Sequence, residues 1–143
     1  MVRSVLAILA GVVTLTAISF GIEAVADPLL MRLFPASLPT RAAFSHSLPT
    51  ELFGFAYGVL SIAVGGYVTA WIARRAPILH AALLGSVQTL LTVWAIIAFG
   101  DHAPASNWIV TLIITLPSAL LGGWLLARTA DRSALQAPAG RSG

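Results

Sequence analysis

Residues 52–73 read LFGFAYGVLSIAVGGYVTAWIA, a run without a charged side chain that ends at Arg74 and Arg75. An α-helix rises about 1.5 Å per residue, so roughly 20 apolar residues cross the hydrocarbon core of a bilayer. The residues do not alternate between apolar and polar, as they would in a strand of a membrane β-barrel. We therefore predict that this run forms a membrane-spanning α-helix.

Three further uncharged runs have a similar length, at 4–22, 76–100 and 102–127. Together the four runs predict one all-α transmembrane domain over residues 1–143, an integral membrane four-helix bundle. The predicted spans lie near 4–26, 51–74, 78–99 and 107–128. An outer loop at 27–50 and a cytoplasmic tail at 129–143 complete the arrangement.

The composition excludes several classes of soluble protein. Of the 143 residues, 58% are hydrophobic and only 9% are charged, and the mean hydropathy is +0.92. A soluble domain carries charge on about a quarter of its residues. A cytosolic enzyme, a nucleic-acid-binding module and a disordered tail are therefore excluded, and a membrane protein remains.

The arginines predict how the bundle is oriented. Six lie on one side of a four-span arrangement: Arg3, Arg74, Arg75, Arg128, Arg132 and Arg141. Only Arg32 and Arg41 lie on the other side. Because positive residues are retained in the cytoplasm, both termini are expected there. The net charge of +3 thus reflects topology and gives no reason to expect a nucleic-acid partner, since the arginines occupy short turns and tails.

A short repeat suggests two tandem helical hairpins. Residues 61–67, SIAVGGY, match residues 118–124, SALLGGW, in register. Two parallel hairpins related by an axis along the membrane normal would explain the match. Convergence on small residues in apolar helices would explain it equally well.

Small residues in the second and fourth spans are candidates for close helix packing, because membrane helices associate through small side chains. We expect these two spans to form the packing spine of the bundle. The candidate packing residues are Gly54, Gly58, Ser61, Gly65, Gly66, Ser118, Gly122 and Gly123.

Polar residues inside the spans are candidates for function, because they are costly in a membrane. They are Glu23, Gln88, Thr92 and Thr115. In a purely structural interpretation, Glu23 pairs with Arg32 or Arg41. Gln88 then stabilises the bundle through hydrogen bonds to hydroxyls of other helices, such as that of Thr111. The alternative makes them part of a substrate path. Outer aromatic residues, including Tyr57, are interpreted as interfacial anchors.

Two stretches carry a resemblance to a known group of proteins: GGYxxAxxARR at 65–75, followed by Pro77 and His80, and LGGWxxAR at 121–128. They resemble stretches in small four-span bacterial inner-membrane proteins. The resemblance implies a location in the bacterial cytoplasmic membrane and implies no activity or cofactor.

Two functions from different classes follow. The first is a non-enzymatic structural or accessory protein, either a small subunit of a larger membrane complex or a homo-oligomer, in contact with lipids and other membrane subunits. The alternative is a minimal transporter or channel subunit that uses Glu23 and the Gln88 cluster. The sequence contains no catalytic constellation and no metal-ligand cluster, so an enzyme is not expected.

The first span also has the features of a signal peptide, with Arg3, an apolar run and Ala24-Val25-Ala26 as a cleavage site. Its apolar run exceeds the usual 7–15 residues, and Glu23 and Pro28 crowd the site. We therefore expect the span to be retained. Intact mass or N-terminal sequencing of the purified protein tests this, and a chain beginning at Asp27 would contradict it.

Overall fold

Four long α-helices make up the described structure. A computed structural model describes residues 2–34, 47–100 and 103–135, with only the backbone for 131–135. The helices are α1 (Val2–Leu33), α2 (Leu48–Ala73), α3 (Pro77–Phe99) and α4 (Ala105–Leu135). Each is long and apolar enough to cross a membrane. The prediction of an all-α four-span bundle is confirmed, and the chain is a multi-pass membrane protein.

Helices α1 and α2 extend into both ends of the stretch predicted as an outer loop. Helix α1 continues past Glu23 and Asp27, through Pro28, to Leu33, and α2 begins as early as Leu48. A helix satisfies its own backbone hydrogen bonds, so it need not end where the hydrocarbon ends. The two helices therefore include 27–33 and 48–50 of the loop predicted at 27–50, and residues 35–46 lie outside the described part. In the same way, α4 extends beyond the predicted end at 128.

Consecutive helices run in opposite directions, so the bundle has a basic end and an acidic end. At the basic end, Arg3 Nε donates to the Ile72 carbonyl oxygen at 2.8 Å. There His80 Nε2 also lies 3.1 Å from Ser4 Oγ. The turn between α2 and α3 is tight, with left-handed backbone conformations at Arg74 and Ala76. At the opposite end, α1 and α2 carry Glu23, Asp27 and Glu51.

The bundle has small residues inside and large apolar residues outside. Leu84 is the one large aliphatic side chain among the fully buried described residues. The other fully buried side chains are small: Ala7, Ser61, Thr69, Ala70, Ala81, Thr115 and Ala119. Large side chains such as Ile97 (81% exposed) and Leu90 (69%) point away from the bundle. This distribution suits a lipid surround, where helices associate by close packing.

Adjacent glycines allow one helix to pack closely against two neighbours. In α2, a Cβ at Gly66 would overlap the Ala119 carbonyl of α4, and a Cβ at Gly65 would lie 3.0 Å from the Gly11 carbonyl oxygen of α1. In α4, a Cβ at Gly122 would overlap the Ala63 carbonyl of α2. A Cβ at the neighbouring Gly123 would lie 2.6 Å from the Ala81 Cβ of α3.

Glycines at matching positions of the sequence repeat, in Gly65–Gly66 and Gly122–Gly123, do not contact matching helices. Gly65, the first of its pair, contacts the helix of its own hairpin, whereas Gly122, the first of the other pair, contacts α2. An axis along the membrane normal would give matched residues matching neighbours. The glycine contacts therefore lack the symmetry expected of two tandem parallel hairpins.

Gly54 and Gly58 do not pack against another helix, although they were expected to. A Cβ at Gly58 would meet nothing within 4 Å, and one at Gly54 would meet only the Tyr57 ring at 3.9 Å. Spacing by four residues places glycines on one helix face but does not place a helix against that face. These two glycines line an open space.

We predict that Gly66→Ala destabilises the protein and that Gly58→Ala, in the same helix, does not. The added methyl at Gly66 must push α4 away, and such overpacking costs about 1–3 kcal/mol. Thermal unfolding in detergent, followed by circular dichroism, measures the difference. Equal melting of the two variants would contradict the packing role of Gly66.

Candidate functional site

A cavity of about 460 Å³ lies at the acidic end of the bundle, with residues from all four helices in its wall. Gly54 and Gly58 of α2 contribute no side chain there, which leaves room between the helices. The deepest part is apolar and is lined by Leu15, Ile62 and Ile114. The cavity is therefore open towards one end and backed by the close-packed glycine contacts.

The cavity wall carries negative charge. Glu23 and Asp27 from α1 and Glu51 from α2 line it, and no described Arg, Lys or His does. Its uncharged polar side chains are Ser19, Thr50, Gln88, Asn107 and Thr111. Acidic groups with low-dielectric walls raise the local concentration of cations. The cavity is thus electrostatically suited to a positively charged ligand.

Glu23 is held by a tyrosine of the neighbouring helix. The Tyr57 hydroxyl donates to Glu23 Oε1 at 2.5 Å, and both side chains are half-buried. Glu23 forms no ion pair with Arg32 in the described structure, and Arg41 lies outside the described residues. The expected arginine pairing at Arg32 is thus replaced by a bond between α1 and α2. The second oxygen, Oε2, has no partner among the described residues.

Tyr57 is a site residue that the sequence analysis missed, since it was interpreted as an interfacial anchor. The sequence contained one indication of this role, namely the depth of Tyr57 in the membrane. An intramembrane carboxylate needs a donor, and Tyr57 lies within two turns of Glu51, near the same boundary as Glu23. The sequence does not show which helices are neighbours, so it did not identify the pair.

Gln88 lies in the cavity wall, but not with the hydroxyl partners expected of it. The Thr111 hydroxyl donates to the Asn107 carbonyl oxygen at 2.8 Å, and the Thr115 hydroxyl to the Thr111 carbonyl oxygen at 2.6 Å. The Thr92 hydroxyl likewise donates to the Gln88 carbonyl oxygen at 3.0 Å. A short hydroxyl side chain reaches the carbonyl four residues back without any neighbouring helix.

The four predicted polar residues therefore separate into two groups. Glu23 and Gln88 line the cavity, whereas Thr92 and Thr115 are buried and are not among its lining residues. The Gln88 side-chain amide has no hydrogen-bond partner among the described residues, and neither has that of Asn107, which the sequence analysis did not select. Two amides thus present free donors and acceptors near the three carboxylates.

The described acidic residues and histidines do not form a metal centre. No group of three or more His, Cys, Asp or Glu residues within the described ranges is arranged to hold a metal ion. The three carboxylates line one cavity but do not converge on a common point. His80 lies at the basic end, near Ser4, and His102 is outside the described residues.

We found no protein-family model, curated protein or solved structure that matches this chain. The resemblance to four-span bacterial inner-membrane proteins therefore stays a prediction.

We predict that Tyr57→Phe lowers the free energy of unfolding by about 0.6 kcal/mol, the average for an interhelical hydrogen bond in a membrane protein, and by no more than about 1.7 kcal/mol. Tyr67→Phe is the matched control, because Tyr67 lies in the same helix and its hydroxyl has no partner among the described residues. Unfolding by sodium dodecyl sulfate in mixed micelles measures both variants. Equal losses would show that the Tyr57–Glu23 bond does not stabilise the bundle.

Proposed function

We propose that this chain is a minimal transporter or channel subunit that binds a cation in the cavity at its acidic end. The observation that carries this proposal is a cavity wall with three carboxylates and no described basic side chain. Of the two functions that the sequence leaves open, this geometry favours the second. It also gives Glu23 and Gln88 their roles as parts of one binding site.

Electrostatics support a cation as the ligand. An ionisable side chain within a membrane is costly and is usually paired or exposed to a water-filled cavity. Glu23 has only the neutral Tyr57 hydroxyl as its described partner. A cation bound beside its open oxygen would compensate the charge and displace water from the cavity.

The form of the cavity suits access from one side at a time. Below its apolar floor, α1 and α2 pack closely where Gly11 contacts Gly65 and Thr69, and this contact separates the cavity from the basic end. Transport would require this contact to loosen while the acidic end closes. Helix α1 is suited to such a movement, because it buries only Ala7, Gly11 and Leu15 along its whole length.

The proposed location is the bacterial cytoplasmic membrane, with both termini in the cytoplasm and the cavity facing outwards. The support is the distribution of positive charge. Arg3, Arg74, Arg75 and Arg128 all lie at the end opposite the cavity, and such residues are retained on the cytoplasmic side. Arg128 also lies 3.9 Å from the centre of the Trp124 ring, a pair suited to the bilayer interface.

A non-enzymatic accessory subunit or homo-oligomer is the second candidate, and one observation favours it. Gly21 of α1 has nothing within 4 Å of a Cβ built on it, and the nearby Val25 is 68% exposed. An uncovered glycine beside an exposed apolar side chain allows a further helix to pack against α1. Native mass spectrometry of gently solubilised membranes would detect a stoichiometric partner or a second copy.

We predict that proteoliposomes containing the protein take up at least one cation from a panel that extends from K⁺ to alkylammonium ions. Glu23→Gln should abolish this uptake, because the substitution removes the carboxylate but keeps the shape of the side chain. Tyr67→Phe, remote from the cavity, should retain it. Uptake no faster than in empty liposomes for every cation would overturn the proposal and favour the accessory function.

A further inference from the structure

The size of the cavity argues against a bare inorganic ion as its occupant. Its volume of about 460 Å³ falls within the range of about 300–1,000 Å³ typical of small-molecule sites. An unhydrated metal ion would leave most of this space empty. The ligand should therefore carry substantial organic bulk.

The placement of the carboxylates points the same way. Ca²⁺ and Mg²⁺ require six or more oxygen ligands at about 2.0–2.6 Å. Glu23, Asp27 and Glu51 border the cavity without forming such a group in the described structure. Dispersed carboxylates can attract a cation and set its orientation, but they cannot replace the hydration shell of a metal ion.

The rest of the wall suits an alkyl group attached to a positive centre. Leu15, Ile62 and Ile114 form an apolar floor, and the Phe55 ring lies in the wall. An aromatic face attracts an organic cation, most strongly where water is excluded. The side-chain amides of Gln88 and Asn107 offer oxygen atoms that can accept hydrogen bonds from N–H groups.

From these features we infer that the ligand is an alkylammonium ion bearing at least one N–H group. Glu23 is its counter-ion, the Gln88 and Asn107 amides accept from any N–H group that Glu23 does not engage, and Phe55 and the apolar floor contact its alkyl chains. Tyr57 is a positioning residue that holds the Glu23 carboxylate through Oε1 and leaves Oε2 for the ligand. This inference rests on the proposed cation-binding function and names its substrate class.

Isothermal titration calorimetry of the full chain in nanodiscs tests the inference, with triethylammonium, K⁺ and Mg²⁺ as probes. Triethylammonium should bind, and neither metal ion should displace it at equal concentration. Glu23→Gln should weaken binding about tenfold or more, as expected for loss of a charge-assisted contact. Phe55→Leu should weaken it about two- to fivefold, as expected for loss of a cation–π contact.

Phe99→Leu is the matched control for Phe55→Leu, because Phe99 is exposed and is not among the cavity residues. Its affinity should equal that of the unmodified protein. Circular dichroism checks that each variant is folded. If Glu23→Gln does not fold, Glu23→Asp replaces it, and its shorter reach should also weaken binding.

The outcomes separate this inference from the proposed function. If K⁺ or Mg²⁺ binds and triethylammonium does not, the alkylammonium assignment is overturned while a cation-binding function stands. If none of the probes binds, both are overturned. An unchanged affinity in Phe55→Leu would overturn the role of the aromatic wall, and an unchanged affinity in the Glu23 variant would overturn the counter-ion.

Discussion

The close approach of α2 and α4 is the contact on which the rest of the bundle depends. At Gly66 and Gly122 the facing atoms are backbone carbonyls, which cannot move aside as a side chain would. Consecutive residues of a helix point about 100° apart, so two adjacent glycines leave two sides of the helix without side chains at the same height along its axis. In α2 the second face receives α1, and in α4 it receives α3. Two dipeptides thus set the positions of all four helices.

The cavity follows from the same kind of residue in a different setting. In the basic half of α2, glycines face the backbone of another helix, and the space closes. In the acidic half, Gly54 and Gly58 face no helix, and the same absence of a side chain leaves an opening. A glycine therefore either brings helices together or leaves an open space, depending on what lies opposite. The carboxylates of Glu23 and Glu51 border the half that stays open.

The sequence predicted the spans well and their ends poorly. Charge-free runs identify the hydrocarbon-crossing segments, because bilayer thickness fixes their length, but a helix such as α1 can continue beyond the hydrocarbon to Leu33. Glu23 and Gln88 could be selected from their depth alone. The roles of Tyr57 and Asn107 could not be assigned in this way, since they depend on which helices are neighbours. The hydroxyl of Thr111 was expected to bond to Gln88, but it donates to the Asn107 carbonyl oxygen of its own helix, which lies closer to hand.

Helix α1 is attached to the bundle at three levels: by Arg3 to the Ile72 carbonyl, by Gly11 against Gly65, and by Glu23 to Tyr57. At about 1.5 Å per residue, the first and last attachments lie about 30 Å apart. Only the last one borders the cavity, so a ligand bound at Oε2 of Glu23 would act on α1 far from the Gly11 contact, around which the helix can tilt. A small displacement of the Glu23 carboxylate towards that ligand would then be converted into a tilt of the whole helix. Ligand recognition and helix movement would then share a single pair of oxygen atoms.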